Sequence, residues 1–91
     1  MKFEWHGTKA ATNLRKHGVS FSDAATVFAD ILSHVFPDPD HSDDENRFLI
    51  IGMSETGRIL VVSHTDREET TRIISAREAT RKERLFYEEN R

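Results

Sequence analysis

The sequence contains no cysteine, only two prolines and no long hydrophobic run. The absence of cysteine excludes disulfide bonds, thiolate chemistry and cysteine-based zinc sites. No stretch approaches the roughly 18 consecutive apolar residues that a membrane-spanning helix needs. The opening segment, Met1-Lys-Phe-Glu-Trp5, also lacks the apolar core of a signal peptide. We therefore expect a cytoplasmic protein without a membrane partner.

Charged residues make up 32% of the chain and hydrophobic residues 36%, as in a globular protein with a heavily charged surface. Ninety-one residues suffice for one modest hydrophobic core, so residues 1–91 are predicted to form a single domain. The net charge is −3, but five of the 16 acidic residues fall in one short segment: Asp38, Asp40, Asp43, Asp44 and Glu45. The rest of the chain carries 13 basic and 11 acidic residues, a net +2 that is compatible with phosphate binding.

Apolar periodicity and turn residues divide the chain into eight predicted elements. In chain order they are a strand over Lys2–Trp5, helices over about Lys9–His17 and Phe21–Asp30, strands over Ile31–Phe36, Arg47–Met53, Arg58–Thr65 and Thr70–Ala76, and a helix over about Arg77–Glu89. Thr8 is expected to cap the first helix, and Gly18 to end it in the left-handed conformation. The order β-α-α-β-β-β-β-α predicts an α+β fold with helices packed on a mostly antiparallel sheet.

The junction between the last strand and the last helix carries the strongest local signal. Ser75 and Glu78 have the Ser-x-x-Glu spacing of a capping box, which predicts that the helix begins directly after the strand. Arg77, Arg81 and Arg84 then recur at i, i+4 and i+7 and would form one cationic stripe. The helix macrodipole disfavours a first-turn cation by roughly 0.3–1 kcal/mol, which suggests a use such as phosphate binding. Pairing with nearby glutamates on a solvated surface is the alternative.

On the same predicted helix, Ala79 and Phe86 are expected to face the sheet. Leu85 and Tyr87 are then expected at the flanks of the helix, where their side chains are partly exposed.

Signatures of metal and nucleotide sites are missing from the sequence. The five histidines show neither H-x-H nor H-x-x-x-H spacing, so a metal site would require tertiary convergence. The segment from Asp38 to Glu45 begins like a calcium-binding loop, but Asp43 and Leu49 stand where that loop needs glycine and glutamate. No P-loop, G-x-G-x-x-G or G-x-S-x-G motif is present. We expect neither a metal nor another cofactor.

Acid–base catalysis assisted by cations is the chemistry that these residue types allow. In RNA cleavage of this kind a base removes the 2′-OH proton and the oxygen attacks the adjacent phosphorus. Cations stabilise the phosphorane, and an acid protonates the leaving 5′ oxygen. The suitable side chains are Lys9, Lys16, His17, His64, Arg72, Arg77, Arg81 and Tyr87. Lys9, Lys16 and His17 share one stripe of the first predicted helix with Asn13.

Several motifs resemble the BrnT family of toxins. They are Lys16-His-Gly-Val-Ser-Phe21, Ala24-Ala-x-Val-Phe-x-Asp30 and Arg72-Ile-Ile-Ser-Ala-Arg-x-Ala-Thr80 with Glu83 and Tyr87. The likeness covers nearly the whole chain. It implies a RelE-like fold and a bacterial ribonuclease that inhibits translation by cutting RNA. It also implies a BrnA-type antitoxin as partner, with operator DNA bound only through the antitoxin complex.

The resemblance indicates four catalytic candidates: Lys16, His17, Arg72 and Arg77. Further candidates for substrate binding, which include the rest of the arginine stripe, are Lys9, Arg81, Arg84, Glu83 and Tyr87. We assign Arg72 and Arg77 to phosphate binding and to stabilising the transition-state charge. Lys16 or His17 is assigned to proton transfer. For His17 the alternative is a favourable interaction with the C-terminal helix dipole.

One position departs from the family pattern. The family usually has Trp-Asp after the first strand, whereas Trp5 is followed here by His6. If that acid caps the first helix or orients a base, activity would be reduced; a harmless change on a surface turn is the alternative. Two functions therefore stay open, an RNA endonuclease toxin and a catalytically silent module that only binds the antitoxin.

Overall fold

The computed structural model describes residues 1–39 and 47–90. In chain order these residues form β1 (Lys2–Glu4), α1 (Gly7–His17), α2 (Phe21–Thr26), a short 3₁₀ helix (Val27–Ala29), β2 (His34–Pro37), β3 (Arg47–Met53), β4 (Ile59–Arg67), β5 (Thr70–Glu78) and α3 (Arg81–Glu89). The predicted α+β class and the order of strands and helices are confirmed. Within the described residues, no helix is long and apolar enough to cross a membrane.

The five strands form one sheet in the order β1-β5-β4-β3-β2. Strands β2 to β5 follow one another as an antiparallel meander. The short β1 pairs in parallel with the beginning of β5, where Lys2 lies opposite Thr70 and Glu4 opposite Arg72. Beyond this pairing, the side chain of Asn13 in α1 bonds to the backbone of Ala76 at the outer edge of β5.

Helices pack on both faces of the sheet, because successive side chains of a strand point to opposite sides. One face packs against α1 and α2 and contains the larger core, which consists of Val19, Phe21, Ala24, Val27, Ile50, Leu60, Val62, Ile73 and Ala76. On the other face, Phe86 and Tyr87 of α3 pack against Ile51 and Val61. Each fully buried side chain of this size contributes roughly 1.5–3 kcal/mol. The larger cluster therefore supplies most of the apolar stabilisation.

The start of the last helix differs from the prediction. Strand β5 continues through Arg77 and Glu78, whose partners in β4 are Val61 and Leu60. The ladder satisfies the backbone groups of these residues, so the helix begins only at Arg81.

The capping box and the arginine stripe change accordingly. Thr80 caps α3, and its side chain and that of Glu83 form the capping box, so the prediction of Ser75 and Glu78 was wrong. Arg77 lies on a strand and does not share a helix with Arg81 and Arg84. The prediction of one helical stripe was wrong for the same reason: long-range pairing outweighs a local capping pattern.

The first helix also begins differently. It starts at Gly7 with His6 as N-cap, and His6 Nδ1 accepts the N–H of Thr8 at 3.3 Å. The prediction of Thr8 as cap was wrong, because His6 occupies the capping position. The predicted end of the helix is confirmed, because Gly18 has φ 67° and its N–H donates to the carbonyl of Leu14.

Two smaller predictions also need correction. Strand β2 begins at His34 rather than Ile31, because Asp30 holds a turn by accepting the N–H groups of Leu32 and Ser33. Tyr87 is buried at 2% exposure and does not lie at the flank of α3. The exposed flank position of Leu85 is confirmed.

Candidate functional site

Three cationic or titratable side chains of α1 line one cavity against β5. Lys9, Lys16 and His17 surround this space of about 250 Å³ together with Ile74 and Ser75. The three α1 side chains are exposed, so a ligand can reach them from solvent. We call this the α1–β5 cavity.

The side chain of Asn13 fixes α1 against β5. Its Nδ2 donates to the carbonyls of Val19 at 3.0 Å and Ala76 at 2.8 Å, and its Oδ1 accepts the N–H of Ala76 at 3.1 Å. Two carbonyls on one end and one N–H on the other define the amide orientation. The helix is thus joined to the strand edge by directed hydrogen bonds.

A β-bulge shapes the wall of the cavity. Ser75 pairs with Ser63, whereas Ile73 pairs with His64, so Ile74 is an extra residue of β5. A bulge bends the strand and redirects the side chains near it. The two residues that line the α1–β5 cavity, Ile74 and Ser75, lie at this irregularity.

Arg72 lies two residues before the cavity wall and is weakly held. Its Nη1 donates to Glu4 Oε2 at 3.1 Å, and the two side chains are 42% and 46% exposed. Exposed pairs of this kind contribute about 0–1 kcal/mol. A phosphate can therefore compete with Glu4 for this guanidinium.

Arg77 lies two residues after the cavity wall and is firmly held. Its Nη1 and Nη2 donate to the two carboxylate oxygens of Glu83 at 2.7 and 2.9 Å, a bidentate pair. Glu83 Oε1 also accepts the N–H of Thr80 at 2.8 Å. Mainly through the hydrogen bonds from Arg77, the pKa of Glu83 falls to about 2, and the same bonds raise the pKa of Arg77. The pair is thus fully ionised at neutral pH.

The two arginines are separated along the strand. At about 3.3 Å per residue, five residues place the Cα atoms of Arg72 and Arg77 on the order of 15 Å apart. One phosphate group cannot bridge that distance, whereas an extended polyanion can contact both. Of the predicted catalytic residues, Lys16 and His17 line the cavity. Arg72 and Arg77 do not line it; they lie on β5, two residues before and two residues after its wall.

The comparison with known families decides the assignment. A family model described as "Ribonuclease toxin, BrnT, of type II toxin-antitoxin system" matches residues 5–83. The chain belongs to the BrnT family. It is therefore a ribonuclease toxin of a type II toxin–antitoxin system, and such a toxin has an antitoxin protein as partner. The resemblance found in the sequence is confirmed.

A solved BrnT structure shares this fold. The chain is similar to the ribonuclease toxin BrnT of Brucella abortus, whose crystal structure was determined at 1.1 Å resolution, with a TM-score of 0.70 and 28% sequence identity. The match covers 89% of this chain and 99% of that one. No curated protein sequence matches the chain significantly.

The remaining predicted substrate residues of this BrnT-family chain belong to α3. Arg81 and Arg84 are exposed on this helix, which packs on the face of the sheet opposite the α1 core. The Tyr87 hydroxyl donates to Asp30 Oδ2 at 2.6 Å, and the same oxygen accepts the N–H of Met53. Burial raises the pKa of Asp30, but the bonds from Met53, Tyr87 and Leu32 outweigh it and lower that pKa overall. Tyr87 thus attaches α3 to the Asp30 turn.

His64 is a buried histidine outside the α1–β5 cavity. Its ring packs against Phe28 and Phe48, and its Nδ1 lies 3.2 Å from a carboxylate oxygen of Asp66. Burial lowers its pKa in spite of that carboxylate, and Nε2 has no partner among the described residues. Its alternation with Leu60 and Val62 along β4 is the sequence signal for an inward position.

The supporting roles of two residues, Asn13 and Arg58, were not predicted from the sequence. Asn13 falls in the polar stripe of α1, yet it is the buried residue of that helix. Arg58 donates through Nη1 to the carbonyl of Gly18 at 2.9 Å and through Nη2 to Glu78 at 3.0 Å. Both contacts are made between residues far apart in sequence, so no local pattern could reveal them.

Among residues 1–39 and 47–90, no group of three or more His, Cys, Asp or Glu side chains could hold a metal ion. Most of the segment that resembles a calcium-binding loop, from Asp40 to Glu45, lies outside the described residues.

Proposed function

We propose that the chain is a metal-independent RNA endonuclease that inhibits translation. Family membership supplies the ribonuclease and toxin character; the mechanism, the site and the partner are the proposal. The observation that carries it is the α1–β5 cavity, where Lys9, Lys16 and His17 lie beside the strand segment between Arg72 and Arg77. This arrangement offers positive charge and an imidazole to an extended phosphodiester chain.

Arg72 and Arg77 bind phosphate groups on either side of the scissile bond. Guanidinium groups suit this role because they remain charged and donate several hydrogen bonds in one plane. Arg72 is available after its exposed pair with Glu4 opens. Arg77 keeps a fixed orientation through its bidentate pair with Glu83, and 41% of its side chain is exposed to a ligand.

His17 or Lys16 transfers the proton at the cleaved bond. Imidazole accepts and donates protons near neutral pH, which is the property that a general acid or base needs. His17 lies in the last turn of α1 and lines the α1–β5 cavity. Lys16 and Lys9 add positive charge that stabilises the phosphorane.

The other predicted residues contribute around this centre. Arg81 and Arg84 contact RNA beyond the cleaved bond from the exposed side of α3. Glu83 acts on the substrate through Arg77, which it orients. Tyr87 also belongs to the proposed substrate-binding set, and its buried bond to Asp30 favours a supporting role that keeps α3 in place.

The partner is a BrnA-type antitoxin, and the pair acts in the cytoplasm. Operator DNA is bound only through the antitoxin complex, as the resemblance to the family implies.

Cleavage of RNA by the purified, antitoxin-free chain in EDTA tests the proposal. We expect products that end in a 2′,3′-cyclic phosphate, with activity lost in Lys16→Ala/His17→Ala. Lys82→Ala, which removes an exposed cation of α3, is the matched control and should cleave like the parent. Activity that depends on added divalent metal, or persists in the double variant, would contradict the proposal.

A silent antitoxin-binding module is the second candidate. Two observations favour it: His6 replaces the family's acid at the cap of α1, and Glu83 offsets the charge of Arg77. Such a module would bind antitoxin tightly but leave RNA intact both alone and with translating ribosomes. If the absence of an acid at position 6 is the cause of the missing activity, His6→Asp would restore RNA cleavage.

A further inference from the structure

Asn13 lies in the middle of the helix side that carries the proposed site. It follows Lys9 by four residues and precedes Lys16 and His17 by three and four residues, so all four share one side of α1. Asn13 is only 5% exposed, while its three neighbours on this side are exposed. The side of the helix that presents the cations is thus attached through an amide.

Hydrogen bonds fix a helix more narrowly than apolar packing does. The hydrophobic effect has no preferred direction, whereas a good hydrogen bond needs a heavy-atom distance near 2.9 Å and a nearly linear geometry. The three bonds of Asn13 reach Val19 and both backbone groups of Ala76. Sliding or rotating α1 along β5 would break them together.

A second attachment holds the end of α1 but leaves its rotation less restricted. Arg58 bonds to the carbonyl of Gly18 and to the side chain of Glu78. The side chains of Arg58 and Glu78 are 32% and 63% exposed. Screening by solvent makes such a pair weak. The buried amide is the firmer of the two contacts.

We propose that Asn13 is a positioning residue of the ribonuclease site. Its bonds to Ala76 set α1 relative to β5, and they thereby place Lys16 and His17 against the phosphates that Arg72 and Arg77 hold. A displacement of about 1 Å can cost about 100-fold in rate. This inference rests on the proposed function, because it requires that α1 and β5 act on one RNA chain.

Asn13→Ala tests the inference, with Val27→Ala as a matched control for lost stability. Val27 is fully buried at the start of the 3₁₀ helix that follows α2, and it lies outside the α1–β5 cavity. We expect Asn13→Ala to lower the single-turnover cleavage rate at saturating RNA at least tenfold. Its Kd for a non-cleavable 2′-O-methyl RNA should change less than threefold, because the cations stay on the surface. Val27→Ala should cleave at the parental rate.

Asn13→Ser keeps the test open if the alanine variant does not fold. A hydroxyl can replace some of the lost bonds, so this variant should cleave faster than Asn13→Ala and more slowly than the parent. Folded variants that cleave like Val27→Ala would overturn the inference while leaving the ribonuclease itself established. A parent chain without cleavage activity is a different outcome: the proposed function then fails, and this inference with it.

Discussion

The two arginines of β5 have the same chemistry but are held in opposite ways. Arg72 pairs with Glu4 through one hydrogen bond at 3.1 Å on an exposed edge. Arg77 makes two bonds to Glu83, a carboxylate that also belongs to the capping box of α3. Because the two arginine side chains are 42% and 41% exposed, they differ in how firmly a carboxylate holds them and not in their exposure to solvent.

A fixed partner has both a benefit and a cost for a phosphate site. Glu83 orients the guanidinium of Arg77 in advance, which lowers the entropy lost on binding. It also offsets the positive charge that attracts the phosphate. Arg72 has the opposite properties: its side chain must be ordered on binding, but one bond at 3.1 Å to Glu4 offsets its charge less. The following predictions test this difference.

Arg77→Ala should have the largest effect, because it removes a cation and leaves Glu83 ionised without its partner. We expect cleavage to fall on the order of 100-fold or more and the free energy of unfolding to fall by about 1 kcal/mol. Cleavage rates and urea unfolding measure the two. Arg77→Ala/Glu83→Gln should regain most of the stability but not the activity; recovery of activity would mean that Arg77 does not act on RNA.

Arg72→Ala should affect activity alone. Its partner Glu4 is 46% exposed and stays in contact with water, so the free energy of unfolding should change by less than about 0.5 kcal/mol. RNA affinity should fall about tenfold, and the slope of log K against log salt should decrease by about 0.7, as for one lost single-strand phosphate contact. Lys82→Ala is again the matched control. An unchanged salt slope would exclude Arg72 from phosphate binding.

The ion pair between Arg77 and Glu83 should make the free energy of unfolding depend on pH. The pKa of Glu83 in the folded chain is about 2, below its usual 4.5, so the unfolded chain binds a proton first as the pH falls. The stabilisation is complete above about pH 4.5 and is lost as the pH approaches 2.

After allowance for solvent screening we expect this contribution to be about 1 kcal/mol. Unfolding of the parent and of Glu83→Gln between pH 2 and 6 measures it by difference. The Asp30 carboxylate, whose pKa is also lowered, titrates in both proteins and cancels. Parallel curves for the two proteins would contradict the assignment.

Glu83→Gln should have the smallest effect on RNA. The amide keeps the shape of the carboxylate but no longer offsets the charge of Arg77, so RNA affinity should rise by a few-fold at low salt. The gain should shrink as salt is added. Glu4→Gln is the parallel change at Arg72 and should yield a smaller gain, since a single bond at 3.1 Å offsets that charge less than the two shorter bonds of Glu83 offset the charge of Arg77. Equal gains at both positions would remove the distinction between the two arginines.

Most of the fold was predictable from local patterns. Helical spacing from Phe21 to Phe28, the glycine at position 18 and the alternation along β4 each lead to the observed element. The start of α3 after β5 was not predictable in this way. Two pairs have the same capping-box spacing, Ser75 with Glu78 and Thr80 with Glu83. Only the pairing of Arg77 with Val61 decides between them, and no local pattern contains that information.

The residue types of the candidate site were predictable from the sequence, but the contacts that hold these residues in position were not. The stripe of Lys9, Lys16 and His17 follows from helix geometry, and the structure places all three at one cavity. The attachment by Asn13 joins residues 63 positions apart and could not be inferred. Tyr87 is buried, and its hydroxyl bonds to Asp30, 57 positions away, a contact that no local pattern reveals.

The bulge at Ile74 determines which face of the sheet the side chains of β5 point to on either side of it. Arg72 and Arg77 are an odd number of residues apart, so an uninterrupted strand would direct their side chains to opposite faces. Their partners in β4, Thr65 and Val61, are an even number apart and share a face, because the extra residue restores the alternation. Deleting that single residue would leave both arginines in the chain yet separate them by the thickness of the sheet.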